Sequence, residues 1–318
     1  MSNFGEVNVK NAADAVINPA TEEKQDDVIT AVGLTATKAI QTDGTQKTQV
    51  TGLSETTSTA MALNFTESGR ARVANLPYEI SIAQGDIPNH TALFKFGTRT
   101  SVAANTQSSV WEGPTALYAY LPSAQQLKVS SSSGLDVAAG TGARTMTLIG
   151  LDSSYNELEE TITLTGTAVA TTTGSFIRIH RGYVATSGTG YTNAGIITVT
   201  NNAGTVTQMV IPAGDAQTLM AMWTVPLGKT LYITAGSAST DTSKGARVSL
   251  FTRQLDGGIL HPWRIRYRAY LFGGNENFPF NIPLEIPAKT DVQVRVLTPA
   301  AAGTTSFGAT FEGWYEDV

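Results

Sequence analysis

The 318-residue chain has no cysteine, which removes disulfide frameworks, thiolate catalysis and thiolate zinc sites together. Charge is scarce as well. Asp, Glu, Lys and Arg make up 15% of residues, against about 25% in an ordinary globular domain. The formal net charge is −5, so attraction of nucleic acid, which needs a basic surface, is not expected. No run approaches the ~18 consecutive apolar residues that span a bilayer, so no membrane partner is expected. Between Met1 and Lys10 the residues are mostly polar, with Glu6 where a secretory leader would carry a basic and then an apolar segment; synthesis in a cytosol is expected.

Catalytic and metal constellations are equally thin. His90, His180 and His261 are far apart and none has a metal-ligand spacing, so they read as surface or core histidines and no metal is expected. Gly140-Thr141-Gly142-Ala143-Arg144 lacks the third glycine of a phosphate-cradling loop and precedes a strand-like run; Gly228-Lys229-Thr230 lacks the earlier glycine of a P-loop. Both read as turns. No Gly-x-Ser-x-Gly elbow occurs, which leaves an α/β-hydrolase unsupported. The expectation is no enzyme, no catalytic residue and no cofactor.

What is abundant is threonine, at 46 positions, and glycine, at 30, a composition suited to strands and turns. The one helix signal is Asn18-Pro19-Ala20-Thr21-Glu22-Glu23: a capping Asn, Pro at the first helical position and two carboxylates in the first turn. Val28, Ile29 and Val32 make a short apolar stripe and Gly33 a stop, so a helix is expected over about 19–32, too short to stand alone. From Leu34 to Thr59 the chain is Thr-, Gln- and Gly-rich with little periodicity, an extended arm or weak strands.

Beyond Leu93 strands become dense. The clearest hairpin pairs Arg144–Leu151 with Glu157–Leu164 across the turn Asp152-Ser153-Ser154-Tyr155-Asn156. Leu158, Ile162 and Leu164 share one face, Glu157, Glu159, Thr161 and Thr163 the other, and Glu160 breaks the apolar face. Further strands are expected at Phe176–Tyr183, Ile196–Thr200, Gln208–Ile211, Leu219–Val225, Thr230–Ala235, Arg247–Gln254, Trp263–Phe272, Val292–Leu297 and Phe307–Tyr315. This predicts an all-β protein: an N-terminal arm over 1–85 with one short helix, then two β-sandwich or jelly-roll-like domains over 86–212 and 213–318.

Two charged clusters stand out. Asp152, Glu157, Glu159 and Glu160 lack the rhythm of a calcium loop, and alternation separates Glu159 from Glu160, so they read chiefly as a solvated or partner-facing hairpin. In Trp263-Arg264-Ile265-Arg266-Tyr267-Arg268-Ala269-Tyr270-Leu271, a period of two puts Trp263, Ile265, Tyr267, Ala269 and Leu271 on one face and Arg264, Arg266 and Arg268 on the other. An arginine row repels itself unless acids lie opposite. It reads as an exposed strand face or as a docking surface for acids such as Glu157 and Glu159 of a neighbouring copy, with a nucleic-acid contact ranked behind both because the overall charge is negative.

Ile17-Asn18-Pro19-Ala20-Thr21-Glu22-Glu23 with its following helix resembles a segment of virion structural proteins of tailed bacteriophages. So do Ala139-Gly140-Thr141-Gly142-Ala143-Arg144, Gly150-Leu151-Asp152-Ser153-Ser154-Tyr155-Asn156-Glu157 and Phe176-Ile177-Arg178-Ile179-His180-Arg181. The resemblance implies a non-enzymatic virion component assembled in the host cytosol, often a homotrimer. Its partners would be copies of itself and other virion proteins, either a portal or tail adaptor or the major capsid protein. The specific expectation is a tail- or head-attached fibre or adaptor anchored by its arm through Pro19, Val28, Ile29 and Val32. The alternatives are a capsid decoration protein and a carbohydrate-binding adhesin, in which Trp111, Trp223, Trp263 or Trp314 would stack on a host-surface glycan. A depolymerase ranks behind these.

Overall fold

The computed structural model describes residues 77–300 and 303–318, together with the strands β1 (Val9–Lys10), β2 (Val16–Ile17), β3 (Thr35–Ile40), β4 (Gln46–Leu53) and β5 (Ala60–Ala62) before them. The helix expected over 19–32, with Pro19, Val28, Ile29 and Val32, lies outside the described residues. The chain divides into two units, Met1–Leu76 and Pro77–Val318. In the first, β1 pairs with β2, and β4 is the centre of an antiparallel β3-β4-β5 sheet.

The second unit is all-β apart from helix α1 (Tyr78–Gln84). Pro77 sits at its entry, Glu79 in its first turn, and Gly85 closes it at φ +78°, where a Cβ would be strained. β6 (His90–Val102), β16 (Lys229–Thr240), β20 (Gly274–Ile286) and β22 (Thr305–Asp317) form an antiparallel sheet in the order β20-β16-β22-β6. β20 carries Pro279 and Pro283, which its edge position tolerates because a proline cannot donate to a ladder. A second sheet runs β15 (Met222–Thr224), β21 (Thr290–Leu297), β17 (Ala246–Asp256); β18 (Ile259–Leu260) and β19 (Arg264–Leu271) pair with β17, and β7 (Ser108–Ser109) with β21. These two sheets share one core, with Leu93, Leu231, Ile233, Val248, Val294 and Phe311 inside.

A second core is shared by two further sheets. One is β10 (Glu157–Thr163), β9 (Ala143–Leu151), β12 (Arg178–Ser187); the other is β11 (Ala170–Thr171), β8 (Leu127–Ser131), β13 (Ile197–Asn201), β14 (Thr207–Ile211). Met146, Leu148, Phe176, Val199 and Ile211 fill it. Its residues span Trp111 to Met222, whereas the first core draws on Leu93–Val110 and on Ala221 onward. The second core is thus built on an excursion from the first.

The β9–β10 hairpin has the expected register, Glu157 opposite Leu151 and Thr163 opposite Thr145. Glu160 interrupts the apolar face for a local reason: its two oxygens accept hydrogen bonds from the backbone N–H groups of Thr173 (2.7 Å) and Gly174 (2.8 Å), tying down the loop before Phe176. The Gly140-Thr141-Gly142 turn closes around an internal anion. Asp136 is fully buried; its carboxylate accepts from Ser131 Oγ (2.6 Å) and from the N–H groups of Ala143 (2.8 Å), Ala194 (2.8 Å) and Gly195 (2.9 Å). A Cβ at Gly142 would lie 2.2 Å from Asp136 Oδ1, so only glycine fits.

Burial opposes the charge on Asp136, but the four donated bonds outweigh it and hold its carboxyl below the usual range. A depressed folded-state value means the stabilisation is present above the ordinary carboxylate range and lost as pH falls through the folded value. Asp136→Ala is therefore expected to lower unfolding stability by about 2–4 kcal/mol near neutral pH, read by urea denaturation, and to flatten the acid limb of the stability profile.

Candidate functional site

Arg264, Arg266 and Arg268 all lie exposed on β19. Arg268 Nε donates to Ser249 Oγ (3.0 Å) and Arg266 to the Glu285 carbonyl (3.3 Å). No carboxylate pairs with any of the three among the described residues. The faces of β19 differ from simple alternation. A bulge skips Arg266, so that Tyr267 opposes Leu250 but Ile265 opposes Phe251. Tyr267 and Ala269 therefore pack on the first core, with Leu271 inside it, while Ile265 emerges on the other side and Trp263 stacks with Arg253 and Arg295 (4.5 and 4.4 Å from its ring centre). The expected single arginine face is broken by the same bulge, Arg268 opposite Ser249 lying on one side of the sheet and Arg264 opposite Thr252 on the other. Exposed apolar side chains lie close by: Tyr270 on β19, Phe272 (78% exposed) just after it and Ile282 (83%) on β20.

Glu157 and Glu159 are exposed on β10, in the other core's sheet, and the chain does not bring them to the arginines. Glu157 instead lies 3.8 Å from Lys229 and accepts a long bond from the Tyr315 hydroxyl (3.5 Å). Asp152 is spent locally, accepting from the N–H groups of Ser154 and Asn156 in the turn.

Between the two cores lies a polar seam that the sequence does not announce. Asp291 on β21 is buried and shared by two guanidiniums. Arg178 on β12 reaches it through Nε (2.7 Å) and a second nitrogen (3.2 Å), Arg253 on β17 through a terminal nitrogen (2.6 Å) and Nε (3.2 Å), and Thr224 Oγ1 donates as well (2.8 Å). Arg178 also donates to the carbonyls of Leu121 and Ile177. Both guanidiniums lie over the Tyr120 ring, at 4.9 and 4.7 Å. Asp291→Asn leaves two guanidiniums short of charge in a dry site, with an expected loss of about 3–5 kcal/mol by urea denaturation; replacing the cluster by apolar residues of matched volume should cost much less.

Along the same seam β6 brings in Lys95, 6% exposed, whose Nζ donates to the His180 carbonyl (2.6 Å) and lies 5.6 Å from the centre of the Trp223 ring. His180 is buried, stacked on Trp223 (3.7 Å between centres), and its Nε2 accepts the Thr224 N–H (3.2 Å). Burial, then the Lys95 charge, pushes the ring well below the usual imidazole range, so His180 is neutral. Burial, then Arg181, lowers Lys95 from 10.5 to about 7. A cleft of about 350 Å³ opens here, bounded by Ala92–Phe96, Ile149, Arg181, Thr218, Trp223 and Tyr315.

The downward shift of Lys95 means that the unfolded chain holds this proton more tightly. The penalty is complete below about pH 7 and relieved as pH rises toward 10.5. Stability should rise over that interval, with a contribution from Lys95 of up to about 1.4 kcal/mol per pH unit. Lys95→Met should remove that contribution, as measured by urea unfolding at a series of alkaline pH values.

The remaining tryptophans are engaged. Trp111 is buried edge-on to Tyr118, and Trp314 lies between Tyr232 and Tyr78. Among the described residues no group of three or more His, Asp or Glu could hold a metal ion, and no helix is long and apolar enough to cross a membrane.

No protein-family model and no curated protein matches the chain. Among solved structures, a chain of the infectious bursal disease virus Gt strain is 11% identical at a TM-score of 0.22, covering 76% of this chain and 78% of that one. The PBSX exported protein XepA is 9% identical at a TM-score of 0.15, covering 79% and 98%. Superpositions this loose do not establish a common fold.

Proposed function

We propose that the chain is a non-enzymatic structural subunit of a tailed-phage particle that works by joining copies of itself and neighbouring virion proteins. The observation that carries this reading is the set of exposed arginines on β19: Arg264, Arg266 and Arg268 are without an acid partner among the described residues, with Arg268 on the same face as the exposed Tyr270 and Arg264 on the opposite face beyond the bulge. Unpaired guanidiniums beside exposed apolar side chains are well suited to an acidic contact, for which Glu159 and the outer side of Glu157 on a second copy are the natural complement. The sequence resemblance of Ile17–Glu23 and of the 139–181 region to virion proteins supports the same class. Within it, we read the subunit as a tail- or head-attached fibre or adaptor, most simply a homotrimer. Its N-terminal residues, Pro19 to Val32 among them, make the attachment, and each pair of sheets forms a β-sandwich. A capsid decoration protein is the neighbouring alternative.

Replacing Arg264, Arg266 and Arg268 together by Ser is expected to weaken self-association and incorporation into particles, most strongly at low salt, because a charge contact of this kind is screened over about 10 Å at moderate ionic strength. Sedimentation at two salt concentrations reads the effect. An assembly state unchanged at low salt, with normal incorporation, would overturn the docking role.

A further inference from the structure

The seam contains a positive charge with no counter-charge. Lys95 is more than nine-tenths buried, yet among the described residues its ammonium makes a single hydrogen bond, to the His180 carbonyl, and no ion pair. The charge that acts on it is Arg181, of the same sign, which reaches Gln217 (2.6 Å) and lies over the Tyr183 ring but meets no carboxylate among the described residues. Arg178, comparably buried, has Asp291. Burying an ammonium with two donors unused beside a second cation is costly, and the group is relieved either by losing its proton or by gaining an anion in the cleft; a bound carboxylate would keep it charged.

The cleft supplies the space for such an anion. Trp223 and Tyr315 lie within 20° of parallel with centres 6.4 Å apart, and the exposed Phe94 adds a third apolar wall. The outer edge of β6 from Ala92 to Phe96 bonds to no other backbone among the described residues, so it offers N–H and C=O groups to a hydroxylated guest. That open edge is short. From Thr98 onward the Glu112 carboxylate occupies it, accepting from Thr98 Oγ1 (2.6 Å), Thr100 N (3.1 Å) and Thr100 Oγ1 (3.1 Å). An added peptide strand would need more edge than this, whereas a compact guest fits about 350 Å³.

We propose that this cleft binds an acidic sugar unit of a glycan, its carboxylate between Lys95 and Arg181, its flat apolar face against Trp223 and Tyr315, and its hydroxyls on the free edge of β6. Carboxylate with cation gives the charge-assisted contact, and the aromatic walls take the ring. This goes beyond the assembly role, which uses β19.

The test is titration of the full chain with a glucuronate-containing oligosaccharide and with a sialylated one, each beside its carboxyl-reduced counterpart and beside a Glu-rich peptide, followed by tryptophan fluorescence. Saturable binding of at least one carboxylated sugar is expected, lost on carboxyl reduction and weakened about tenfold or more in Arg181→Gln and in Lys95→Met. Arg181 is exposed, so its variant should keep the native near-ultraviolet dichroism and decides the matter even if Lys95→Met fails to fold. Absence of binding by both carboxylated sugars, equal binding of the reduced forms, or preference for the peptide would overturn the proposal. Self-association is read separately in the same samples and should be unaffected.

Discussion

Everything on the C-terminal side of α1 is organised about one buried carboxylate. Asp291 belongs to the sheet system of the first core, and Arg178, which grips it through two nitrogens, belongs to β12 of the second. An apolar contact at this seam would tolerate sliding. A planar guanidinium fork on a carboxylate does not, because both its bonds fail together when the angle changes. Against a hydrophobic seam of equal volume such a cluster adds little stability, since desolvation consumes most of the attraction. What it adds is a fixed relation between two sheet systems that touch along limited area. The aromatic rings reinforce that relation: Tyr120 lies beneath both arginines that hold Asp291, and Trp263 beneath Arg253 and Arg295.

That constraint also sets the geometry of the cleft. Arg178, His180 and Arg181 sit within four positions of β12, and the register shift between Ile179 and Arg181 leaves His180 unopposed on β9. Ile179 faces the second core while Arg178 and His180 turn to the seam, so this strand is buried on both sides. Once Arg178 is locked on Asp291, the His180 carbonyl and the backbone of Arg181 have little freedom. Lys95, anchored to that carbonyl, inherits the same precision.

Much of the strand layout was legible because it depends on local period. The hairpin from Ala143 to Thr163 has the expected register and the expected faces, since two alternating runs around an Asp-Ser-Ser-Tyr-Asn turn leave few other pairings. Other features needed information the local pattern lacks. β20 has two prolines, which argue against a strand until its edge position is known. The seven residues of α1 are too few for a helical period to register, although Pro77 and Gly85 mark its ends. The bulge at Arg266 reversed the face of Ile265 and Trp263 with no warning in residue type. Above all, Lys95, Asp136, Arg178 and Asp291 look like ordinary surface charges, and Asp291 meets Arg178 across 113 positions of sequence. A reading that assigns charged residues to solvent hides the seam.

The shortage of charge noted at the outset thus has two sides. Several of the few ionised groups are consumed internally, by the Asp291 cluster, by the backbone donors around Asp136 and by the loop that Glu160 ties down. Part of the surface is left to threonine, whose hydroxyls pair across strands, as Thr145 does with Thr186 (2.6 Å). On a surface with so few charges, an exposed guanidinium without an ion pair is a comparatively distinct feature. The same three arginines on a densely charged protein would be lost among their neighbours. Here sparse charge makes the unpaired arginines of β19 stand out, and the buried cluster keeps the strands around them in place.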